Sequence, residues 1–198
     1  MIAAIVLAAG YSSRMGRFKP LLPIGRFTAI ERVLDLLVAA GVGGIAVVTG
    51  HRAEALEPVL AGKGVHAVHN LHYDRGMYSS IAVGVASLAA EVEACFVLPA
   101  DMPLVRPRTI ERLMEAYRSR PGLILYPVFQ GRRGHPPLIC RKVFTEILRG
   151  DEPGGLRALL ARHEHGAGEI EVVDEGIHLD LDTPADLVRA LELAGQRS

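Results

Sequence analysis

Long apolar runs are missing from this chain. No stretch of its 198 residues approaches the ~20 consecutive apolar residues that a membrane-spanning helix requires, so no membrane partner is expected. An excess of one charge is missing too. Lys plus Arg and Asp plus Glu each number 22, which leaves no basic field to attract a polynucleotide, and no nucleic-acid partner is expected. Cysteine is scarce: Cys95 and Cys140 lie far apart among apolar neighbours. That pattern suits buried free thiols in a reducing cytoplasm and gives no support to a zinc site or a disulfide framework. The apolar N-terminus lacks the basic flank of a signal peptide. Repeats, low-complexity segments and linkers are likewise missing. With 49% apolar residues, residues 1–198 are expected to form one folded α/β domain, being too few for two comfortable ones.

The most informative stretch is Ile2 to Pro23, IAAIVLAAGYSSRMGRFKPLLP. Ile2 to Ala8 is a continuous apolar run of strand length, which reads as a strand buried on both faces. It ends in Gly10 and a loop holding Ser12, Ser13, Arg14, Gly16 and Lys19. Small residues at the end of a buried strand let backbone N–H groups face open space, where an anion can sit. With two cations added, the loop suits a polyphosphate. It is neither G-x-x-x-x-G-K-S/T nor G-x-G-x-x-G, because Gly16 is followed by Arg17, Phe18, Lys19 and Pro20.

Beyond the loop, helical spacing predicts a helix over Phe27 to Ala40, stopped by Gly41. A strand at Ile45 to Thr49, a helix at Ala53 to Ala61 and a strand at Val65 to His69 follow. This rhythm implies parallel pairing in a doubly wound sheet, with ligands beyond the carboxyl ends of the strands. Asn70 to Ile81, NLHYDRGMYSSI, leads into a helix to about Ala90, and Ser79 and Ser80 could cap it. The strand Ala94 to Leu98 runs into Pro99-Ala100-Asp101-Met102-Pro103. A carboxylate there, fixed between prolines, is a candidate Mg²⁺ ligand, or else the cap of the helix predicted over Thr109 to Tyr117. Leu123 to Gln130 reads as a strand and Gly131 to Gly134 as a hairpin turn leading to His135. Arg132 and Arg133 are either acceptor ligands or solvated turn residues. A short helix is expected over Val143 to Arg149, and Gly154-Gly155 opens another to His163. His163 and His165 read as solvated, in a surface loop. Near the end, HLDLDTPADL from His178 alternates Leu179 and Leu181 with Asp180 and Asp182, so both carboxylates face one side of a strand. Thr183-Pro184 then starts a terminal helix with Pro at its first position.

Leu7 to Pro23, read as L-A-A-G-x-S-x-R-M-G-x-x-K-x-L-L-P, resembles the signature of nucleotidyltransferases with a glycosyltransferase-A-like fold. Within these it resembles the molybdenum cofactor cytidylyltransferase, MobA-like group. Gly131 to Pro136 (G-x-x-G-H-P) and Asp180 to Leu187 (D-x-D-T-P-x-D-L) match further elements of that group, so the resemblance runs from Ile2 to Leu187. It implies an α/β Rossmann-like three-layer sandwich with a mostly parallel sheet, of the nucleotide-diphospho-sugar transferase type. It also implies CMP transfer from CTP to a phosphate monoester, molybdenum-loaded molybdopterin, with release of pyrophosphate and delivery to a client molybdoenzyme. By the same resemblance Leu7, Ala8, Ala9, Gly10, Ser12, Arg14, Lys19, Asn70, Gly76 and Ser80 bind the nucleotide, although Leu71 stands where the group often has proline. Arg14, Lys19 and Asp101 are catalytic. Asp101 and Asp182 hold Mg²⁺ or Mn²⁺, with Asp180 beside them, and Gly134 and His135 lie on the acceptor side. His135 either touches the acceptor or fastens the hairpin. Ala9 stands where the guanylyl branch has glycine, and its Cβ narrows the room for a purine. Alternatives are a sugar- or polyol-phosphate nucleotidyltransferase, a nucleotide-binding chaperone without turnover, and, weakest, a simple hydrolase.

Overall fold

The computed structural model describes residues 1–150 and 153–195. Its centre is β1 (Ile2–Ala8), buried along both faces. Apolar side chains pointing both ways from one strand demand a covering layer on each side, and the rest of the chain supplies them. A small hairpin, β2 (Pro23–Ile24) and β3 (Phe27–Thr28), leads into α1 (Ala29–Ala39). There follow β4 (Ile45–Thr49), α2 (Ala53–Ala61), β5 (His66–His69) and α3 (Met77–Ala86). Then come β6 (Ala94–Pro99), α4 (Pro107–Ser119), β7 (Ile124–Phe129), β8 (Arg132–Arg133) and β9 (Leu138–Cys140). The chain ends with α5 (Phe144–Leu148), α6 (Gly155–Arg162), β10 (Ala167–Glu171) and α7 (Pro184–Gly195).

The main sheet runs β10-β7-β9-β6-β1-β4-β5, with β8 paired to β7. β1 pairs in parallel with β4 and β6, β4 with β5, and β7 with β10; β9 lies antiparallel between β6 and β7. The sheet is therefore mostly parallel, as the strand–helix rhythm implies. On one face Ala4 and Val6 meet Ile30, Val33, Leu34, Leu56, Ile110 and Leu113, from α1, α2 and α4. On the other, Ala3 and Ile5 meet Ile81, Val85, Phe144, Ile147, Leu159 and Leu160, from α3, α5 and α6. α7 packs apart from both, with Ala190 and Ala194 against Leu22, Ile24, Leu104 and Leu181. The result is the expected three-layer sandwich. At Gly84 a Cβ would come within 2.5 Å of Ile5; its absence lets α3 lie close on β1 and brings Ser80 to the carboxyl end of that strand.

Four local expectations need correction. The stretch after His163 is not simply a surface loop: Ala167–Glu171 is the edge strand β10, with Ile170 turned inward between Glu169 and Glu171. His178 to Asp182 forms no strand: His178 closes a 3-10 turn over Glu175–His178, and the residues after it join no ladder, Leu181 N–H donating to Asp101 O at 3.0 Å instead. Arg132 and Arg133 are strand residues of β8, because the turn itself falls at Gln130 and Gly131, both at positive φ. Finally, His163 is not simply solvated: its Nε2 lies 2.9 Å from Glu146 Oε1. His165 is exposed as expected.

Candidate active site

A cleft of about 610 Å³ opens at the carboxyl ends of β1 and β6, where a parallel sheet gathers its ligands. Leu7, Ala8, Ala9, Gly10, Ser12, Arg14 and Lys19 line one wall. The loop is closed on itself, since Ser12, at φ 57°, accepts a 3.0 Å bond from the Lys19 N–H through its Oγ. A Cβ at Gly10 would meet nothing. Packing does not dictate that glycine, and the space it leaves belongs to the cleft.

The charged centre is compact. Lys19 Nζ donates to Asp101 Oδ2 at 2.9 Å and also to Asp182 Oδ1, while Arg14 Nη1 donates to Asp182 Oδ2. Burial alone lowers the Lys19 pKa, but its bonds to Asp182 and Asp101 outweigh that and hold the ammonium above the ordinary lysine value. Asp180 opens onto the same cleft; partial desolvation, then the charges of Asp182 and Asp101, raise its pKa. Arg14 is the exposed partner, with a side chain 74% exposed against 12% for Lys19.

Two carboxylates converging on one ammonium mark a cation-sized position with hard oxygen donors, a set that suits Mg²⁺ or Mn²⁺. Among the described residues no group of three or more His, Cys, Asp or Glu assembles. A metal here would therefore have Asp101 and Asp182 and complete its shell with phosphate oxygens and water. Asp182 is available for this because Thr183 caps α7 in its stead. Thr183 N–H donates to Asp186 Oδ2 at 2.7 Å, and Asp186 N–H returns a 3.4 Å bond to Thr183 Oγ1.

Asp101 is not a cap either. That work is done by Asp174, which sequence reasoning missed. Its carboxylate is 1% exposed and accepts from Arg106 N–H at 2.8 Å, Thr109 Oγ1 at 2.7 Å and Gly176 N–H at 3.0 Å. It thereby ties the start of α4, and the loop carrying Asp101, to the segment that leads to Asp182. Gly176 tightens the same junction, for a Cβ there would fall 2.0 Å from Leu104 O. The nearest local signal was a lone Asp three residues after a short strand, which no pattern marks.

Asn70, expected on the nucleotide, is buried at 1% exposure behind the cleft wall. Its Nδ2 donates to Ser79 Oγ at 2.9 Å and Ser80 Oγ at 3.0 Å, and its Oδ1 accepts from His72 N–H at 2.9 Å. All three bonds are internal, so Asn70 positions the wall. Gly76, at φ 94°, and Ser80 line the cleft itself.

His135 and Gly134 stand on the partition between this cleft and a second cavity of about 680 Å³ lined by Met77, Tyr78, Ile81, Tyr126, Leu156 and Leu160, among others. The hairpin is fastened by main chain, His135 N–H to Ile177 O at 2.9 Å, which leaves the imidazole facing both spaces. Surrounding protein desolvates the ring and lowers its pKa against the pull of Asp101 and Asp180. Gly134 is required, because a Cβ would lie 2.6 Å from Ile177 O. Arg133 lines both spaces and is engaged by Glu164 at 2.5 and 2.9 Å and by Glu169 at 2.6 Å. Arg132 lines the cleft. Gly154 and Gly155, both at positive φ, open α6 beside the second cavity.

A doubly wound sheet with a glycine loop, two cations and two carboxylates at its switch point belongs to the nucleotidyltransferase class of enzymes. Comparison with known proteins narrows the class. The model of the MobA-like NTP transferase domain matches residues 4–167, and the chain belongs to that family. It is 31% identical to the molybdenum cofactor cytidylyltransferase of Escherichia coli (strain K12), over 96% of each chain. Among solved structures, a nucleotidyl transferase from Methanothermobacter superposes with a TM-score of 0.87 at 26% identity, covering 100% of this chain and 99% of that one. A Mycobacterium tuberculosis H37Rv protein in complex with manganese superposes at 0.81 and 28% identity, covering 96% of this chain and 98% of that one.

Proposed function

We propose that this nucleotidyltransferase moves CMP from CTP to a phosphate-monoester acceptor, molybdenum-loaded molybdopterin, and releases pyrophosphate. The observation that carries the reading is the Lys19 ammonium shared by Asp101 and Asp182 at the mouth of the glycine loop, with Arg14 beside it. The acceptor phosphate is already anionic, so no general base is required, and positioning with charge neutralisation carries the rate. Lys19 leaves its carboxylates to bridge the α-phosphate and the incoming anion, where charge builds. Arg14, exposed and held by a single carboxylate, turns to the leaving pyrophosphate. Asp101 and Asp182 would hold Mg²⁺ or Mn²⁺, which would supply Lewis-acid stabilisation of the phosphate oxygens.

Support for the acceptor comes from the second cavity and from the Escherichia coli relative. Among its described lining residues there is no Asp, Glu, Asn or Gln, the side chains that commonly pair with sugar hydroxyls. Tyr78 and Tyr126 with Met77, Ile81, Leu156 and Leu160 offer apolar and aromatic surface to a flat ring system, and Arg75, Arg133 and Arg157 line the same cavity. The base assignment rests on Ala9, buried at 4% exposure in the cleft wall. A molybdoenzyme that receives the product is the partner this reading implies.

The test is pyrophosphate release from CTP, GTP, ATP and UTP with Mg²⁺ and molybdenum-loaded molybdopterin. Release with CTP alone is expected. Preference for another nucleotide overturns the base assignment and leaves the centre. Silence with all four while CTP binds overturns the acceptor and favours a binder without turnover.

A further inference from the structure

Four rings climb from the core to the rim of the cleft. Phe18 is buried at 8% exposure, and the His51 ring stands 6.3 Å from it, edge on. Tyr73 lies 6.3 Å from His51, and Tyr11 lies 5.0 Å from His51 and 5.4 Å from Tyr73. Arg52 lies over the Phe18 ring at 5.4 Å. The cluster is seated: a Cβ at Gly50 would fall 2.7 Å from Tyr73 Cβ, and His51 N–H donates to Ala9 O at 3.1 Å. Yet the topmost ring is open, since Tyr11 is 53% exposed. An aromatic ring that is braced from below and bare above has not been placed there by core packing. Tyr11 and Tyr73 line the same cleft as Ala9, Gly10, Gly76 and Ser80.

We propose that Tyr11, braced by Tyr73 and His51, is a stacking platform for the nucleobase, and that it contributes affinity independently of the contacts made to the phosphates. This deepens the nucleotidyl-transfer reading and rests on it. Every base has a π-face, so a platform of this kind serves affinity, while base choice stays with the walls around Ala9. Tyrosine suits the role because two side-chain angles fix its ring, and the neighbouring rings fix them here before any ligand arrives.

The test compares CTP with inorganic tripolyphosphate, both with Mn²⁺, by titration calorimetry on the full chain. Base–aromatic stacking contributes about 1–3 kcal/mol, which at 1.4 kcal/mol per tenfold is roughly a 5- to 150-fold change. Tyr11→Ala is expected to weaken CTP by that factor and to leave tripolyphosphate within about twofold; Tyr11→Phe keeps both. Tyr11 is exposed, so the variant folds. Equal losses for CTP and tripolyphosphate assign the effect to the loop around Ser12 and overturn the platform. So does a loss that Tyr11→Phe reproduces, which belongs to the hydroxyl, and so does no loss at all. A wild-type protein that binds tripolyphosphate but no nucleotide overturns the nucleotide reading and the platform with it, an outcome visible before any variant is made.

Discussion

Lys19 occupies the point on which Asp101 and Asp182 converge, the same point a divalent cation would take. On the proposed reading the two cations compete until a triphosphate draws the ammonium away. Two measurable results follow. Lys19→Ala removes a charge stabiliser from the transition state, and turnover is expected to fall about 10²- to 10³-fold. The same variant leaves Asp101 without its cation and Asp182 with Arg14 alone, so Mn²⁺ in the absence of nucleotide is expected to bind more tightly than to wild type, read by the loss of free Mn²⁺ signal in electron paramagnetic resonance. Unchanged Mn²⁺ affinity would mean that the lysine and the metal do not share the position. The identities of Lys19, Asp101 and Asp182 were legible in the sequence because each stands in a patterned context. Their mutual contact was not, since it joins positions 82 and 163 residues apart.

Helix starts set the geometry one level up. Thr28 and Glu31 form a capping box on α1, and Thr183 and Asp186 form its counterpart on α7. These bonds act on the carboxyls. The backbone bond from Thr28, then its hydroxyl, lowers Glu31 from 4.5, and the Thr183 hydroxyl leads the lowering of Asp186 from 3.8. Carboxyls depressed on folding stabilise the protein above their unfolded-state values, and that stabilisation is lost as pH falls through the folded values. Thr28→Ala is accordingly expected to cost about 0.5–2 kcal/mol at neutral pH, with the difference from wild type shrinking as urea titrations are repeated toward pH 3. A difference that stays constant with pH would remove Glu31 from the cap. Asp174 acts across elements, where local pattern has no reach. Asp174→Ala strands the Arg106 N–H, the Thr109 hydroxyl and the Gly176 N–H. At about 1–3 kcal/mol for each of the three donors left unsatisfied, at least ~3 kcal/mol of stability should go, read by urea denaturation. Asp174 was invisible in the sequence because a buried carboxylate is identified by its three donors, and those lie up to 68 residues away. The expected strand at His178 failed for a related reason. Alternation was present, but His178 closes a 3-10 turn and the residues after it join no ladder, with Leu181 N–H donating to Asp101 O instead.

Across the whole molecule, legibility followed the sheet outward from β1. The first half, built of parallel strands and covering helices, came through because continuous apolar runs and amphipathic helices are local signals. The far edge did not: β10 sets only a small Ala167 and Ile170 against the core, and β9 enters the sheet antiparallel between β6 and β7, an order that no short pattern encodes. The two cysteines lie on either side of that join and report on it. Cys95 of β6 is fully buried, and burial pushes its thiol well above the ordinary value. Cys140 ends β9, with its Sγ 3.5 Å from the Tyr117 hydroxyl. Cys95 pairs with Ile139 across the β6–β9 ladder, so exposing it means opening the centre of the sheet. Under native conditions neither thiol should react with an aromatic disulfide reagent on the timescale that gives both in denaturant. A ligand that binds only the folded state stabilises it by about 2.7 kcal/mol at 100 times its dissociation constant. Slow native labelling of Cys95 is then expected to slow a further ~100-fold with CTP and Mn²⁺ at that excess. Labelling that the ligand leaves unchanged would mean that β6 and β9 part locally, without release of the cleft on the other side of β1.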